Sequence, residues 1–361
     1  MAENKTQTTY YPSRPVLRID GDEQQELGDV LLQTLMVEET TLGLFRCEAT
    51  FANWGPKGSE VGFLLFDRQL LDFGKTLSVE FGPREDSGPV FAGRITGLEA
   101  RYPPARPPEF LVLAEDRFQD LRMERRTRTF EDVTDEDVIR QIASQHGLTA
   151  EVDVDGPTYR VLAQVNQSDL AFLRERVAAI DAELWMDNRT LYAQARSRRD
   201  AGSVSFTYGQ KLIEFSVLAD LAHQRTSVRV SGWDVANKEA IDEEATESAV
   251  QAELNGGRSG SSVLAQALAE RHERVVSAVP LSQDEAQKMA EARYRDRARS
   301  FVRGLGVVDG SVQVRVGATV ELAGLGPYFD GSYYVTLARH TFTPTFGYRT
   351  AFEVERPAIG G

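Results

Sequence analysis

Apolar positions recur with two periods along the chain, and the period changes where the elements change. From Val16 to Phe118 the pattern is mostly alternating. Val16, Leu17 and Ile19 open it, 44–51 alternates, and Leu77, Val79 and Phe81 point one way, which predicts half-buried strands. Gly82-Pro83, Gly88-Pro89, Pro103-Pro104 and Pro107-Pro108 punctuate this stretch as turns. Over 134–146 the period becomes helical. Val138, Ile139, Ile142 and Ala143 form one stripe, Thr134 is placed as N-cap, Asp135, Glu136 and Asp137 favour the positive end of the dipole, and Gly147 stops the helix. The segment QVNQSDLAFLRERVAAIDAELWMDNRTLYAQ, 164–194, repeats the theme. Ser168 caps a helix whose buried face is Leu170, Leu173, Val177 and Ile180. Leu184-Trp185-Met186, a turn at Asp187-Asn188 and Thr190-Leu191-Tyr192 then read as a hairpin.

Strands return from Val204 to Val230 and end in Ser231-Gly232-Trp233-Asp234. Residues 239–262 turn acidic and then rich in Gly and Ser, the composition of a solvated loop or insertion. Ser282 and Glu285 form a capping-box pair before a helix with Ala286, Met289, Tyr294, Ala298 and Phe301 inside. The final sixty residues are strands again. A weak repeat links the two β regions: 74–79 (GKTLSV) recurs as 317–322 (GATVEL), 95–101 echoes 335–339, and Phe110-Leu111-Val112 echoes Phe352-Glu353-Val354. Gly74 precedes Ile95 by 21 residues and Gly317 precedes Val335 by 18. Matching order and spacing favour two copies of one barrel.

A chain of 361 residues should split into two or three domains. The expected divisions are 15–120 as a first β-barrel and 121–200 as a helical α+β unit. A second barrel takes 201–235 with 304–356, and 236–303 is an acidic, Gly/Ser-rich loop and helical insertion. The net charge of -14 argues against sequence-independent binding of nucleic acid or an anionic membrane. The short basic runs 122–128 and 196–199 read as solvated faces or salt-bridge strips. Cys47 is the only cysteine, which excludes an intrachain disulfide, and its alternating context makes it a small buried hydrophobe. The polar N-terminus has no signal-peptide pattern and no run of eighteen apolar residues occurs, so the expected site of synthesis and assembly is the cytoplasm.

Candidate chemistry is sparse. His146, His223, His272 and His340 form no metal-ligand spacing, no Gly-x-Ser-x-Gly elbow occurs, and 304–310 (GLGVVDG) has the wrong glycine spacing and context for a dinucleotide loop. No catalytic, cofactor or metal site is expected.

Four stretches carry a family resemblance. They are 132–153 (DVTDEDVIRQIASQHGLTAEVD); the cassette with Asn166, Ser168, Asp169, Phe172, Leu173 and Trp185; 228–234 (VRVSGWD) with Gly232, Trp233 and Asp234; and a closing segment with Asp330, Gly331, Tyr333, His340, Gly347, Tyr348 and Thr350. In this order they resemble the phage late control protein D family, tail-hub proteins that share a fold with the N-terminal part of VgrG spike proteins. The resemblance spans roughly 15–356. It implies an α+β, mainly β fold: two similar tube-type β-barrel domains with helix-containing clip domains inserted between strands. It further implies a homotrimer acting as the baseplate hub of a contractile phage-tail-like injection system. That pseudo-six-fold ring would join an inner tube, or a tube-initiator protein, to a spike protein, beside other baseplate proteins. A VgrG-type spike component and a tail-tip hydrolase are the alternatives.

In two places the chain departs from the family. The family usually has glycine where Asp181 or Ala182 stands, so a tighter last helical turn is expected. The sequence also ends at Gly361, whereas VgrG proteins continue into an oligonucleotide-fold domain and a β-helical needle; a hub without its own spike is the expectation. The motif residues read as structural: Trp185 and Trp233 as packing anchors, Asp234 as a turn or cap former, His340 as a satisfied strand-end side chain. The channel wall is expected to be acidic or neutral.

Overall fold

The computed structural model describes residues 14–82, 87–234, 237–276 and 280–360. The leading polar stretch and Pro83 of the Gly82-Pro83 signal lie outside the described residues. Thirteen strands join in one sheet. Its path runs Leu212–Ala219, Val302–Asp309, Gly347–Arg356, Gly331–Thr343, Leu32–Thr40, Arg46–Ala52, Glu109–Glu115, Gly88–Arg101, Thr76–Phe81, Val16–Ile19 and Asp22–Glu23. Thr319–Ala323 joins Gly331–Thr343 from the side and carries Ser203–Thr207 in parallel. The mainly β reading holds. The barrel reading is refined, because the path is open and closes no barrel among the described residues. Its two halves are continuous through the antiparallel pairing of residues 35–40 with 337–342.

Each half has its own core. Leu17, Leu35, Val37, Phe51, Val79 and Phe110 fill the first, and Phe206, Val308, Val320, Val335, Phe352 and Val354 fill the second. Phe342, from a second-half strand, is buried in the first core, so the first half is not self-contained. Cys47 is fully buried there, as its alternating context predicts, and burial pushes its thiol pKa far up.

The repeat is visible in the hydrogen bonds. Gly74 N donates to Ile95 O at 2.9 Å and Ile95 N to Lys75 O at 2.9 Å; Gly317 N donates to Val335 O at 3.1 Å and Val335 N to Ala318 O at 3.0 Å. Both glycines have positive φ, 81° and 90°, which a side chain would disfavour. Each long strand then bulges one residue on. Ile95 faces Ala114 and Gly97 faces Leu113, as Val335 faces Val354 and Leu337 faces Glu353. These registers correct the final part of the sequence repeat by two residues, since Val112 corresponds to Phe352 rather than to Val354. The strand order is also duplicated. Thr76–Phe81, Gly88–Arg101, Glu109–Glu115, Arg46–Ala52 and Leu32–Thr40 match Thr319–Ala323, Gly331–Thr343, Gly347–Arg356, Val302–Asp309 and Leu212–Ala219.

Two smaller units flank the sheet. The first packs helices α1 (Phe118–Arg122), α2 (Asp135–Gln145) and α3 (Asp169–Ala179) against five short strands. Thr134 caps α2 in a full capping box with Asp137, and Gly147 follows with φ 64°. On α3, Leu170, Phe172, Leu173 and Val177 are buried, each contributing roughly 1.5–3 kcal/mol. The helix ends on a tight Ile180 N to Val177 O bond, and Asp181 itself adopts the left-handed conformation, φ 55°. The second unit holds α4 (Gly260–Leu268), α5 (Gln283–Arg299) and a sheet of Ser227–Asp234, Glu239–Ala245 and His272–Val275. This corrects two expectations. The strand ending in Gly-Trp-Asp belongs to this unit, not to the second half-sheet, and 239–245 is a strand whose Ile241 and Ala245 face inward rather than a solvated loop. Ser282 caps α5, but Glu285 accepts from Leu281 N at 2.8 Å, so the pair is not a closed capping box.

Candidate functional site at the shared junction

Successive residues of a strand face opposite sides of its sheet, and Glu38-Glu39 exploits this where the two halves meet. Glu39 shares the inward side with Leu35 and Val37. It is almost fully buried, pairs with Arg315 from the second half and accepts from Val316 N at 3.3 Å. Arg315 also donates to Pro89 O at 3.1 Å. Glu38 faces the other way and bridges Arg46 of the first half, at 2.9 Å, to Arg339 of the second, at 2.8 Å. One dipeptide thus clamps both faces of the junction.

His340 lies beside this clamp, opposite Val37 and fully buried within its strand, three residues before the strand ends. That corrects its expected strand-end position. Its Nδ1 lies 2.8 Å from Tyr348 Oη and 3.3 Å from Thr350 Oγ1. The Tyr348 ring stacks on Phe81 of the first half at 4.2 Å, and Thr350 Oγ1 takes the amide of Ser311 at 3.0 Å. Burial and the charge of Arg315 push the imidazole pKa down from 6.5 to about 3. Between those values the unfolded chain binds a proton that the folded chain does not, so stability falls as pH drops from about 6.5 toward 3. By pH 4 this site is expected to cost about 3 kcal/mol. His340→Gln should remove that part of the slope in urea unfolding series between pH 8 and pH 4; parallel slopes for both chains would refute it.

A second set of charges ties the flanking units to the sheet. Glu183 accepts from Arg199 at 2.6 Å and from Tyr334 Oη at 2.6 Å, while Arg199 also donates to Val316 O at 2.9 Å. Arg196 pairs with Glu355 at 2.6 Å. Arg299 of α5 holds Asp181 and Glu253 together. Arg196, Arg199, Glu253, Arg299 and Glu355 line an open cleft of about 290 Å³ with Tyr333, Tyr334 and Arg356. Arg196, Arg199 and Arg299 each meet a carboxylate and Arg356 meets the carbonyls of Asp330 and Tyr328, so the cleft is braced from within the chain.

The sequence-predicted residues do not converge on one site. In the first unit Asn166 has φ 48°; its carbonyl accepts from Arg125 and its amide donates to Thr127. Ser168 caps α3 at 3.2 Å. Asp169, buried, gathers Arg128, Gln164 and His146 within 2.9 Å. Burial alone would raise its pKa, yet the hydrogen bonds of His146 and Gln164 and the charges of Arg128 and Arg126 hold it below the usual carboxylate range. Phe172 stacks on Phe130, and Leu173 is core. Trp185 is a packing anchor as expected, stacked on Tyr192 at 5.2 Å with the Arg199 guanidinium 4.2 Å from its ring.

Trp233 is not an anchor: it is 52% exposed on the second unit's sheet. At Gly232 a Cβ would sit 2.8 Å from Pro280, which explains the glycine. Asp234 accepts from Asn237 N at 3.0 Å, the turn-forming role expected. Asp330 closes a loop by accepting from Leu325 and Gly326, and Gly331 follows it with φ 122°. Tyr333 donates to Phe329 O at 2.7 Å, and Gly347, φ 68°, turns the hairpin before Tyr348. Among the described residues no group of three or more His, Cys, Asp and Glu side chains could hold a metal, and no helix is long and apolar enough to cross a membrane.

The junction itself escaped the sequence reading. Its signal was present: Glu39 falls on the apolar phase of 35–39, where a charge needs a buried partner.

Solved structures similar to this chain include prophage tail proteins, a type VI secretion system component and a VgrG complex. The 43 kDa tail protein of prophage MuSo2 from Shewanella oneidensis is 15% identical with a TM-score of 0.67, over 96% of this chain and 99% of that one. The E. coli c3393 protein is described as a component of the type VI secretion system with structural similarity to T4 bacteriophage tail proteins gp27 and gp5. It is 11% identical with a TM-score of 0.57, over 94% and 76%. A chain of the Francisella PdpA-VgrG complex is 7% identical with a TM-score of 0.54, over 95% and 58%. No curated protein matches the sequence. The tail-hub and VgrG resemblance is thus borne out as a likeness of fold, while the family model that matches residues 56–344 carries another description. By that match the chain belongs to the family described as the Alg8 N-terminal domain, and it carries the fold of the tail and VgrG proteins.

Proposed function

We propose that the chain is a structural baseplate hub of a contractile, phage-tail-like injection system. Three copies form a ring that joins the inner tube, or its initiator, to a separate spike, with other baseplate proteins around it. The observation that supports this most is the duplicated five-strand half-sheet with its repeated bulges. Three chains with two equivalent halves each present six similar faces toward a six-fold tube and remain three-fold toward a spike. The sheet face opposite the cores carries both signs of charge, with Arg46, Arg339 and Arg303 interleaved with Glu38 and Glu353. A wall of that kind lets mixed or anionic cargo pass without adhering. In this reading the chain performs no catalysis, needs no cofactor, and is assembled in the cytoplasm into a particle. Imaging the layer between tube and spike tests it. The expected result is three copies with half-sheets at about 60° intervals; six copies, or two unrelated folds in that layer, would exclude it.

A further inference from the structure

The duplicated halves correspond residue by residue but differ in which strand edges are occupied. Leu32 and Thr34 face Phe51 and Thr50 across a bulge, as Leu212 and Glu214 face Val308 and Val307. This fixes 32–40 against 212–220. Leu32–Thr40 is paired on both edges, with Arg46–Ala52 and with residues 337–342. Among the described residues its counterpart Leu212–Ala219 is paired along one edge, with Val302–Asp309, and on the other has only a bridge from Leu212 to Tyr208, which leaves 215–219 bare. The counterpart of 337–342 is 97–102, and beyond Ile95 this strand is paired, among the described residues, only with Glu109–Glu115. Each half therefore leaves bare the edge that its twin uses inside the chain.

Burial follows the same difference. Leu35 and Val37 are fully buried, whereas their counterparts Phe215 and Val217 are half-buried. Phe342 is 1% exposed and its counterpart Tyr102 is 64% exposed. The backbone is aimed accordingly. Thr41 N donates across the junction to Thr336 O at 3.1 Å, and Asp220 N donates inward to Phe301 O at 2.9 Å. Alternation along the strand then directs the amides of Phe215, Val217 and Ala219 to the bare edge.

We infer that 215–219 of one copy pairs antiparallel with 98–102 of a second copy, repeating between chains the junction that 35–39 and 338–342 make within one. The register sets Ala219 against Leu98, Val217 against Ala100 and Phe215 against Tyr102. Leu218 then faces Glu99 in the row that contains the exposed Arg303, where the in-chain junction has Glu38 facing Arg339 beside Arg46. Opposite charges thus share that row in both junctions, with the acid moved from the central strand to the strand across the edge. Such a head-to-tail contact generates a ring if it closes and a filament if it does not. It rests on the ring reading above and adds the surfaces and the register.

Leu218 and Glu99 are both exposed, so the test disturbs no core. Leu218→Cys with Glu99→Cys, in the full chain with buried Cys47 left in place, should link between copies on mild oxidation, in a ladder that ends at three. The yield should be roughly tenfold above that of Ser216→Cys with Glu99→Cys, because a diagonal pair lies beyond disulfide reach. Equal or preferential linkage of the shifted pair, or an oligomer by light scattering without the Leu218–Glu99 link, overturns the strand pairing and leaves the ring standing. A ladder that continues past three keeps the pairing and overturns the three-fold ring. A chain that stays monomeric and unlinked at high concentration overturns both.

Discussion

Arg315→Met is expected to destabilise the folded chain by about 3–5 kcal/mol, the cost of leaving a buried charge without its partner. The reason lies at Glu39, which is 1% exposed and keeps only the amide of Val316 once Arg315 is gone. Arg315 is the more accessible partner, and its own desolvation is correspondingly smaller. Adding Glu39→Gln should recover much of the loss, because an amide does not need a countercharge. Urea unfolding of the four chains in that cycle measures the coupling. Additive losses would show that the pair does not hold the junction.

Arg299→Met should have the next largest effect, about 2–4 kcal/mol. Its guanidinium is nearly inaccessible and meets two carboxylates from different units, Asp181 after α3 and Glu253 before α4. Without it, two carboxylates face each other with Arg295 and Arg196 as the nearby cations. Because the contact joins units with separate cores, the variant should also lose cooperativity, with the α4–α5 unit opening before the sheet. Hydrogen exchange would read this as faster exchange in α5 than in Leu32–Thr40. Uniform acceleration across the chain would contradict it.

Local elements were legible because their signals are local. Thr134, Ser168 and Ser282 cap helices as their positions predict, and the Asp187-Asn188 turn makes the hairpin. The repeat was legible in its glycines, whose positive φ the sequence encodes directly. Its last strand was misaligned by two because alternation alone repeats every two residues and cannot detect a slip of that size. The 239–245 strand was missed because four acidic residues, spread over both of its sides, outnumber the inward Ile241 and Ala245, and composition outweighed the period. Trp233 was read as an anchor from its residue type alone, which carries no information on which side of a strand is covered. The junction joins residues some three hundred positions apart, and no local pattern reports such a pairing.

That separation has a consequence for synthesis. Leu32–Thr40 leaves the ribosome early, yet its second strand partner and Phe342, part of the first core, are made about 300 residues later. At roughly 5–20 residues per second, the nascent first half waits about 15–60 s with one edge unpaired and its core unfilled. During that interval Leu35 and Val37 offer a strand edge to any neighbouring nascent chain on the same message. Productive yield should therefore depend on how fast the last sixty codons are translated and on chaperones that hold the emerging N-terminal segment until they are.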